Sequence, residues 1–315
     1  MLTAEQLEAR KGKMTSSVVA GALGYNPRMT PLDAWMRVTG KLPPIPPSKA
    51  IERGNRLEDL VLDYPAEELK MLRLKAPFRR HPKFAWAGDS ADAIYTRDDN
   101  RLTPTFVGEG KTASGSVAQC YGDEGTDDIP QGALIQSHWH LIHWPEVDTC
   151  IVPVLIGGFQ FEFRLYYVRR DNEFEDALLE DAAKWHRNYV VANKQPPATD
   201  PRDIDNLMML RPYPRYGLAE PTPEIEEQAR NKRRWADSRE IAEDQEKRAK
   251  LRLIELLGDY EGAASDGWRV SFKRNKPSFT VDWEALARSL NPSEDMIAKY
   301  TKERMGNRPL RITIK

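Results

Sequence analysis

Between Phe84 and Lys111 the chain sets three short apolar runs in a row, FAWAG, DAIYT and TFVGEGK, each cut off by a polar turn. Runs of this length suit strands, and their succession predicts an antiparallel meander. A second pair of runs, CIVPVLI and FQFEFRLYYV, flanks Gly157-Gly158, whose glycines predict the tight turn of a hairpin. Between the two β regions, QGALIQSHWHLIHW follows Pro130 as a predicted helix, and after the hairpin Asp171 caps another that ends near Val190. Ahead of the meander, Thr3-Ala-Glu-Gln6 reads as a capping box, and Thr30-Pro31 caps PLDAWMRVTG with Gly40 as its stop. KLPPIPP is a stiff connector, and a longer helix runs from about Ser48 to Lys70, bent or broken near Pro65. Helices before, between and after the strands predict an α/β core, a mixed central β-sheet flanked by helices.

The composition changes after this core. Seven prolines fall between Gln195 and Pro223, so residues 1–195 are expected to form the core and 196–223 a linker or surface wrap. Residues 224–315 are expected to be a mainly helical accessory region. They hold a long charge-laced helix, Glu224 to Leu257, then a small hairpin of WRVSF with SFTVD, and a last helix at DWEALARSL. No apolar run approaches the ~18 residues needed to span a bilayer, and the segment after Met1 lacks the apolar stretch of a signal peptide. A cytosolic protein with no membrane partner is the expectation. Cys120 and Cys150 are too few for a disulfide framework or an iron–sulfur cluster. With a net charge of −1, any nucleic-acid contact must come from local patches. One such patch is Lys70 to Lys83, six basic residues and no acid, in which Arg79, Arg80 and Lys83 precede the strands.

Within the meander, Ser90-Ala91-Asp92 is followed after sixteen residues by Glu109-Gly110-Lys111. Residues two apart on a strand project from one face, so Glu109 and Lys111 point together, and Asp92 on a neighbouring strand can converge on them. Two carboxylates at one point attract a hard divalent cation, Mg²⁺ above all, and an ammonium beside it suits phosphodiester hydrolysis. Spacing alone favours a solvated strand face carrying an ion pair over such a site. Two further residues favour the site. Glu58 borders an apolar helical stripe one turn after Gly54, and Gln136 shares a helical face with Ala133, His140 and His143. His140, one turn beyond Gln136, reads more readily as a packed or surface histidine than as a substrate contact.

The succession Arg10, Thr15-Ser16-Ser17, Gly54-x-x-x-Glu58, Ser90-x-Asp92, Glu109-x-Lys111 and Gln136 resembles the lambda-exonuclease and YqaJ-like viral recombinase family of PD-(D/E)xK nucleases. The resemblance covers about residues 5 to 192. It implies a PD-(D/E)xK core acting as a Mg²⁺-dependent (or Mn²⁺-dependent) 5′→3′ exonuclease on the ends of linear double-stranded DNA. It also implies 3′ overhangs for a single-strand annealing protein, a ring-shaped homo-oligomer, and a phage or prophage gene expressed in a bacterial cytoplasm. Carried over by residue, Asp92, Glu109 and the Gly110 carbonyl hold the metal, and Lys111 positions or activates the water. Glu58 and Gln136 assist, and Arg10, Ser17 and Ser90 hold a 5′-terminal phosphate. The chain departs from the family pattern in having Ala91 and Ala93 about the first acid and Gly110 inside the second motif. Two rivals therefore stand beside this reading: an endonuclease of the same fold, and a catalytically silent DNA-end-binding scaffold.

Overall fold

The computed structural model describes residues 8–42, 49–97, 103–157, 161–213, 215, 217–275, 280, 282–290 and 292–301. The chain divides into two compact units, Met1–Pro212 and Tyr213–Lys315.

The first unit opens with helices α1 (Ser16–Ala22), α2 (Pro31–Val38) and α3 (Lys49–Glu68). Thr30 caps α2 by a complete capping box with Asp33. Of the bend or break expected near Pro65, the break does not occur: helix α3 continues through Pro65 to Glu68. The missing N–H costs one intrahelical bond, while Val61 and Leu62 on the preceding turn are buried and hold the helix down. The strands follow: β1 (Leu72–Leu74), β2 (Arg79–Arg80), β3 (Gly88–Asp89), β4 (Ala93–Thr96), β5 (Phe106–Gly108) and β6 (Lys111–Ser114). Helix α4 (Gln131–His143) leads to the hairpin β7 (Thr149–Gly157) and β8 (Glu162–Arg169). Helix α5 (Asn172–Trp185), capped by the Asp171 carboxylate, passes into a π-helical turn at His186–Val191.

The sheet is mixed. β1 pairs antiparallel with β4 and β4 with β5, β5 and β6 both run parallel to β7, and β8 closes antiparallel on β7. The continuous apolar run of β7 has a physical cause: every residue from Cys150 to Ile156 is buried, as a strand covered on both faces requires. Helices α3 and α4 pack on this strand. A second core lies among α1, α2, α4 and α5, built on Met14, Val19, Leu32, Trp35, Trp139 and Trp185.

The meander is only partly realised. Of FAWAG, just Gly88 is a strand residue, pairing with Arg80 in a separate two-stranded ribbon. Phe84 and Trp86 pack instead against the helical core. The run TFVGEGK is split at Glu109-Gly110, although the register stays the same across the split, Val107 facing Cys150 and Lys111 facing Val154. By that register the gap lies opposite Val152-Pro153. A proline has no N–H for the ladder, so although Glu109 N–H still donates to the Ile151 carbonyl at 3.1 Å, pairing cannot be completed there, and the Gly110 N–H is left for another partner.

Part of the proline-rich stretch folds onto this unit. A 3₁₀ turn, Pro201–Asp203, and helix α6 (Ile204–Leu210) dock on α2, where Thr30 Oγ1 donates to Asp203 Oδ1 at 2.5 Å and Asn206 Nδ2 to Asp33 Oδ1 at 2.7 Å.

The second unit holds α7 (Pro223–Leu257), β9 (Gly262–Ser265), β10 (Trp268–Ser271), α8 (Trp283–Ser289) and α9 (Glu294–Tyr300). Ion pairs one turn apart run along α7, including Glu226–Arg230, Arg233–Asp237 and Asp244–Arg248. Each contributes ~0.3–0.5 kcal/mol, which suits a helix on which, among the described residues, only Leu257 is buried. WRVSF pairs with Gly262–Ser265 through the two-residue turn Asp266-Gly267, in which Gly267 has φ +93°. Asp-Gly is the strongest short turn signal for a hairpin, and it sits on the other side of WRVSF from SFTVD. The capping box at Thr3–Gln6, most of the KLPPIPP connector, Gly158 and most of SFTVD lie outside the described residues.

Candidate active site

The break between β5 and β6 builds the site. Its free backbone turns toward the loop that leads into β4: Gly110 N–H donates to Asp92 Oδ2 at 3.0 Å, and Asp92 N–H donates to the Gly108 carbonyl at 3.1 Å. Asp92 is thus tied directly to the Glu109-Gly110 step. Lys111, the first residue of β6, donates to Glu109 Oε1 and, at 2.6 Å, to Gln136 Oε1 on α4. Asp92, Glu109, Lys111 and Gln136 are therefore brought together. Glu58 is half-buried on α3, one turn before Leu62, whose side chain lies against Gly110.

Helix α3 uses the space left by Gly110: a Cβ there would stand 3.0 Å from Leu62 Cδ2 and 3.4 Å from Val61 Cγ1. Installing an apolar residue of the usual family kind, Gly110→Val, is expected to destabilise the fold by about 1–3 kcal/mol through overpacking. Urea unfolding measures this, and an unchanged midpoint would contradict the packing described.

The electrostatics are those of a crowded buried charge cluster. Burial pushes the Asp92 carboxyl up, and the neighbouring Glu109 adds to it, to about 7 from an ordinary 3.8. Burial would also raise Glu109, but Lys111 and His140 outweigh it and hold this carboxyl well below the usual range. Burial disfavours the Lys111 ammonium, yet Glu109 and Asp92 more than compensate, so the amine stays protonated. It acts as a cationic donor and not as a proton acceptor. The described hydrogen bonds use two of its three donors.

A raised carboxyl pKa has a definite stability consequence. The stability of the metal-free protein is undiminished by Asp92 below pH 3.8 and falls as the pH rises toward 7, because the unfolded chain gives up the proton first. Asp92→Asn removes this loss. The gap in melting temperature between the variant and the wild type, both metal-free, is expected to widen by about 2–4 °C or more from pH 5 to pH 8. A gap independent of pH would contradict it.

The donor set fits a hard divalent cation. Among the described residues no group of three or more His, Cys, Asp or Glu side chains is placed to hold a metal ion, so the carboxylate pair Asp92 and Glu109 would hold it largely with water. Two carboxylates with a nearby backbone carbonyl leave room for the several waters that Mg²⁺ retains. Burial first, and Glu109 beside it, hold the Asp92 carboxyl above the usual range, and a divalent ion at the pair would favour its ionised form.

Three side chains around this pair escaped the sequence reading or were underweighted in it. His140, fully buried, places Nε2 2.8 Å from Glu109 Oε2 and Nδ1 2.6 Å from Asp89 Oδ1. Asp89, also fully buried, accepts from Trp144 Nε1 at 3.0 Å through its other oxygen. Burial would lower the imidazole, but Asp89 and Glu109 raise it to about 10. The one available signal was the spacing of Gln136 and His140, one turn apart on α4.

The residues expected to hold a terminal phosphate are less tightly joined. Arg10 is half-buried, with Nη2 3.5 Å from Thr15 Oγ1. Burial lowers its pKa, opposed by the charges of Asp92, Asp89 and Glu109, which places its guanidinium toward the cluster. Ser17 is half-buried in the first turn of α1, and Ser90 is buried between β3 and Asp92. Backbone bonds from Met14 N–H to the Trp86 carbonyl and from Gly88 N–H to the Met14 carbonyl bring the Arg10–Ser17 segment beside β3. Among the described hydrogen bonds none links Arg10 to either serine.

Arg79, one of the expected DNA contacts, pairs through both terminal nitrogens with Glu146, donates to the His143 carbonyl at 3.2 Å and lies 3.4 Å from the Trp144 ring centre. Arg80 and Lys83 remain exposed.

Residues 5–143 match the family model of the YqaJ-like viral recombinase domain. The mixed sheet flanked by helices is the architecture that the resemblance to PD-(D/E)xK nucleases implies. No curated protein matches the chain. Among solved structures, the alkaline exonuclease LHK-Exo from Laribacter hongkongensis is similar at 16% identity and a TM-score of 0.47, covering 59% of this chain and 92% of that one. LHK-Exo in complex with dAMP is similar at 18% identity and 0.45, covering 65% and 96%. A phage related exonuclease from Haemophilus somnus 129PT is similar at 13% identity and 0.41, covering 58% and 96%.

Proposed function

We propose that this chain, which carries a YqaJ-like viral recombinase domain over residues 5–143, is a Mg²⁺-dependent 5′→3′ exonuclease on linear double-stranded DNA. The observation that carries the reading is the convergence of Asp92, Glu109, Lys111 and Gln136 at the break between β5 and β6.

Asp92, Glu109 and the Gly110 carbonyl would hold the ion, which when bound supplies Lewis-acid polarisation of the scissile phosphate and a more acidic water. Lys111 keeps a positive charge beside the reacting phosphorus and has a donor left for a water or a phosphate oxygen. Gln136 fixes the Lys111 amine from α4 through its carbonyl oxygen. Glu58 borders the same step from α3 and assists with water at the ion. In the hydrolysis a water oxygen bonds to phosphorus, the bond to the leaving alcohol oxygen breaks, and the water's proton balances the alkoxide.

Arg10 with Ser17 and Ser90 would hold a 5′-terminal phosphate. A guanidinium fork and two hydroxyls suit a phosphate monoester, and fixing the end sets one scissile bond at the carboxylate pair. That is what separates an exonuclease from an endonuclease. Digestion of one strand leaves a 3′ overhang for an annealing protein, and a homo-oligomeric ring is the assembly this reading carries with it.

The test uses a 5′-phosphorylated linear duplex, a 5′-hydroxyl linear duplex and a covalently closed circle, each with Mg²⁺ or with chelator. Digestion of the linear duplexes in Mg²⁺ alone, fastest with the 5′ phosphate, is expected. Cutting of the circle would replace the reading by an endonuclease, and DNA binding without any product by a silent scaffold.

A further inference from the structure

The roles assigned above leave Asp89, His140 and Trp144 unused, although they form a buried chain that ends on Glu109. Keeping an imidazole between two carboxylates in a dry interior is costly. Replacing such a group by well-packed apolar residues is commonly neutral or stabilising. Its geometry also matches the site. Gln136 and His140 stand one turn apart on the same face of α4, and they grip Lys111 and Glu109, which stand two apart across the strand break. The helix thus clamps both members of the pair from one side. Trp144, at the end of the same helix, anchors Asp89.

We infer that His140 is a positioning residue. Held by Asp89, which Trp144 anchors in turn, it fixes Glu109 Oε2 so that the carboxylate is kept in the one orientation in which Oε1 faces Lys111. This rests on the reading of Asp92 and Glu109 as the metal-binding pair. The charge-bearing partner of a ligating carboxylate is ordinarily a group that merely touches it, and losing such a partner weakens metal affinity by about 10–100-fold.

The experiment measures Mn²⁺ affinity by calorimetry and thermal stability on the full chain, for the wild type, Asp92→Asn, His140→Leu and His140→Gln. The Gln variant keeps an amide donor able to reach Glu109. The Leu variant keeps bulk and loses the donor. His140→Leu is expected to weaken Mn²⁺ binding by about 10–100-fold and His140→Gln by no more than about threefold. A purely structural histidine would lower the stability of both variants without separating their affinities. Wild-type affinity in a folded His140→Leu, with binding lost in Asp92→Asn, would overturn the positioning role and leave the metal pair standing. A wild type that binds no Mn²⁺ would overturn both. If His140→Leu does not fold, Asp89→Asn decides: affinity weakened by at least about threefold supports the clamp, and unchanged affinity overturns it.

Discussion

Replacing Lys111 by alanine is expected to slow the proposed Mg²⁺-dependent digestion of a 5′-phosphorylated linear duplex by about a hundredfold to a thousandfold, the range found when a single pre-organised donor is removed from a charged transition state. The structure gives this residue no substitute. Its ammonium lies against Glu109 and Gln136, and its remaining donor is the one cationic donor that β6 presents at the break. Lys111→Arg is expected to recover little, because a planar fork cannot occupy the position of a compact ammonium held between a carboxylate and an amide oxygen. Single-turnover kinetics, with circular dichroism to establish folding, measure the effect. A rate within a few-fold of wild type would remove Lys111 from the chemistry.

The second large effect concerns the choice of DNA end. Arg10→Ala is expected to slow digestion of the 5′-phosphorylated duplex by about 10–100-fold, the worth of a charge-assisted hydrogen bond of ~1.5–3 kcal/mol. The same variant should leave the 5′-hydroxyl duplex almost unchanged, so the preference for a phosphorylated end disappears. The rates of the two substrates, compared side by side, test this. An equal loss on both would mean that Arg10 supports the carboxylate cluster it faces and does not read the end.

The sequence carried the parts of the site that depend on residue type and local spacing. The acidic pair with its lysine stood out because Glu109 and Lys111 are two apart and Asp92 precedes them by one hairpin's length. Helix α4, the capped α2 and the pairing of β7 with β8 were legible from periodicity and turn residues. What escaped depends on partners distant in the chain. The split of TFVGEGK follows from Pro153 on another strand, and the tolerance of Gly110 follows from Leu62 on α3. Asp89 meets His140 across fifty-one residues, a contact that no local pattern announces. The hairpin at Asp266-Gly267 in the second unit is a different case: its turn stood in the sequence, and the reading passed over it for the apolar run on the far side of WRVSF.

The claim that supports all the rest is that Asp92 and Glu109 share one divalent ion. Anomalous diffraction from crystals of the wild-type protein equilibrated with Mn²⁺ tests it most directly. The expected result is a single strong peak about 2.0–2.3 Å from a carboxylate oxygen of each residue, absent from Asp92→Asn crystals. A peak bound by only one of the two carboxylates, or none at millimolar Mn²⁺, would contradict it.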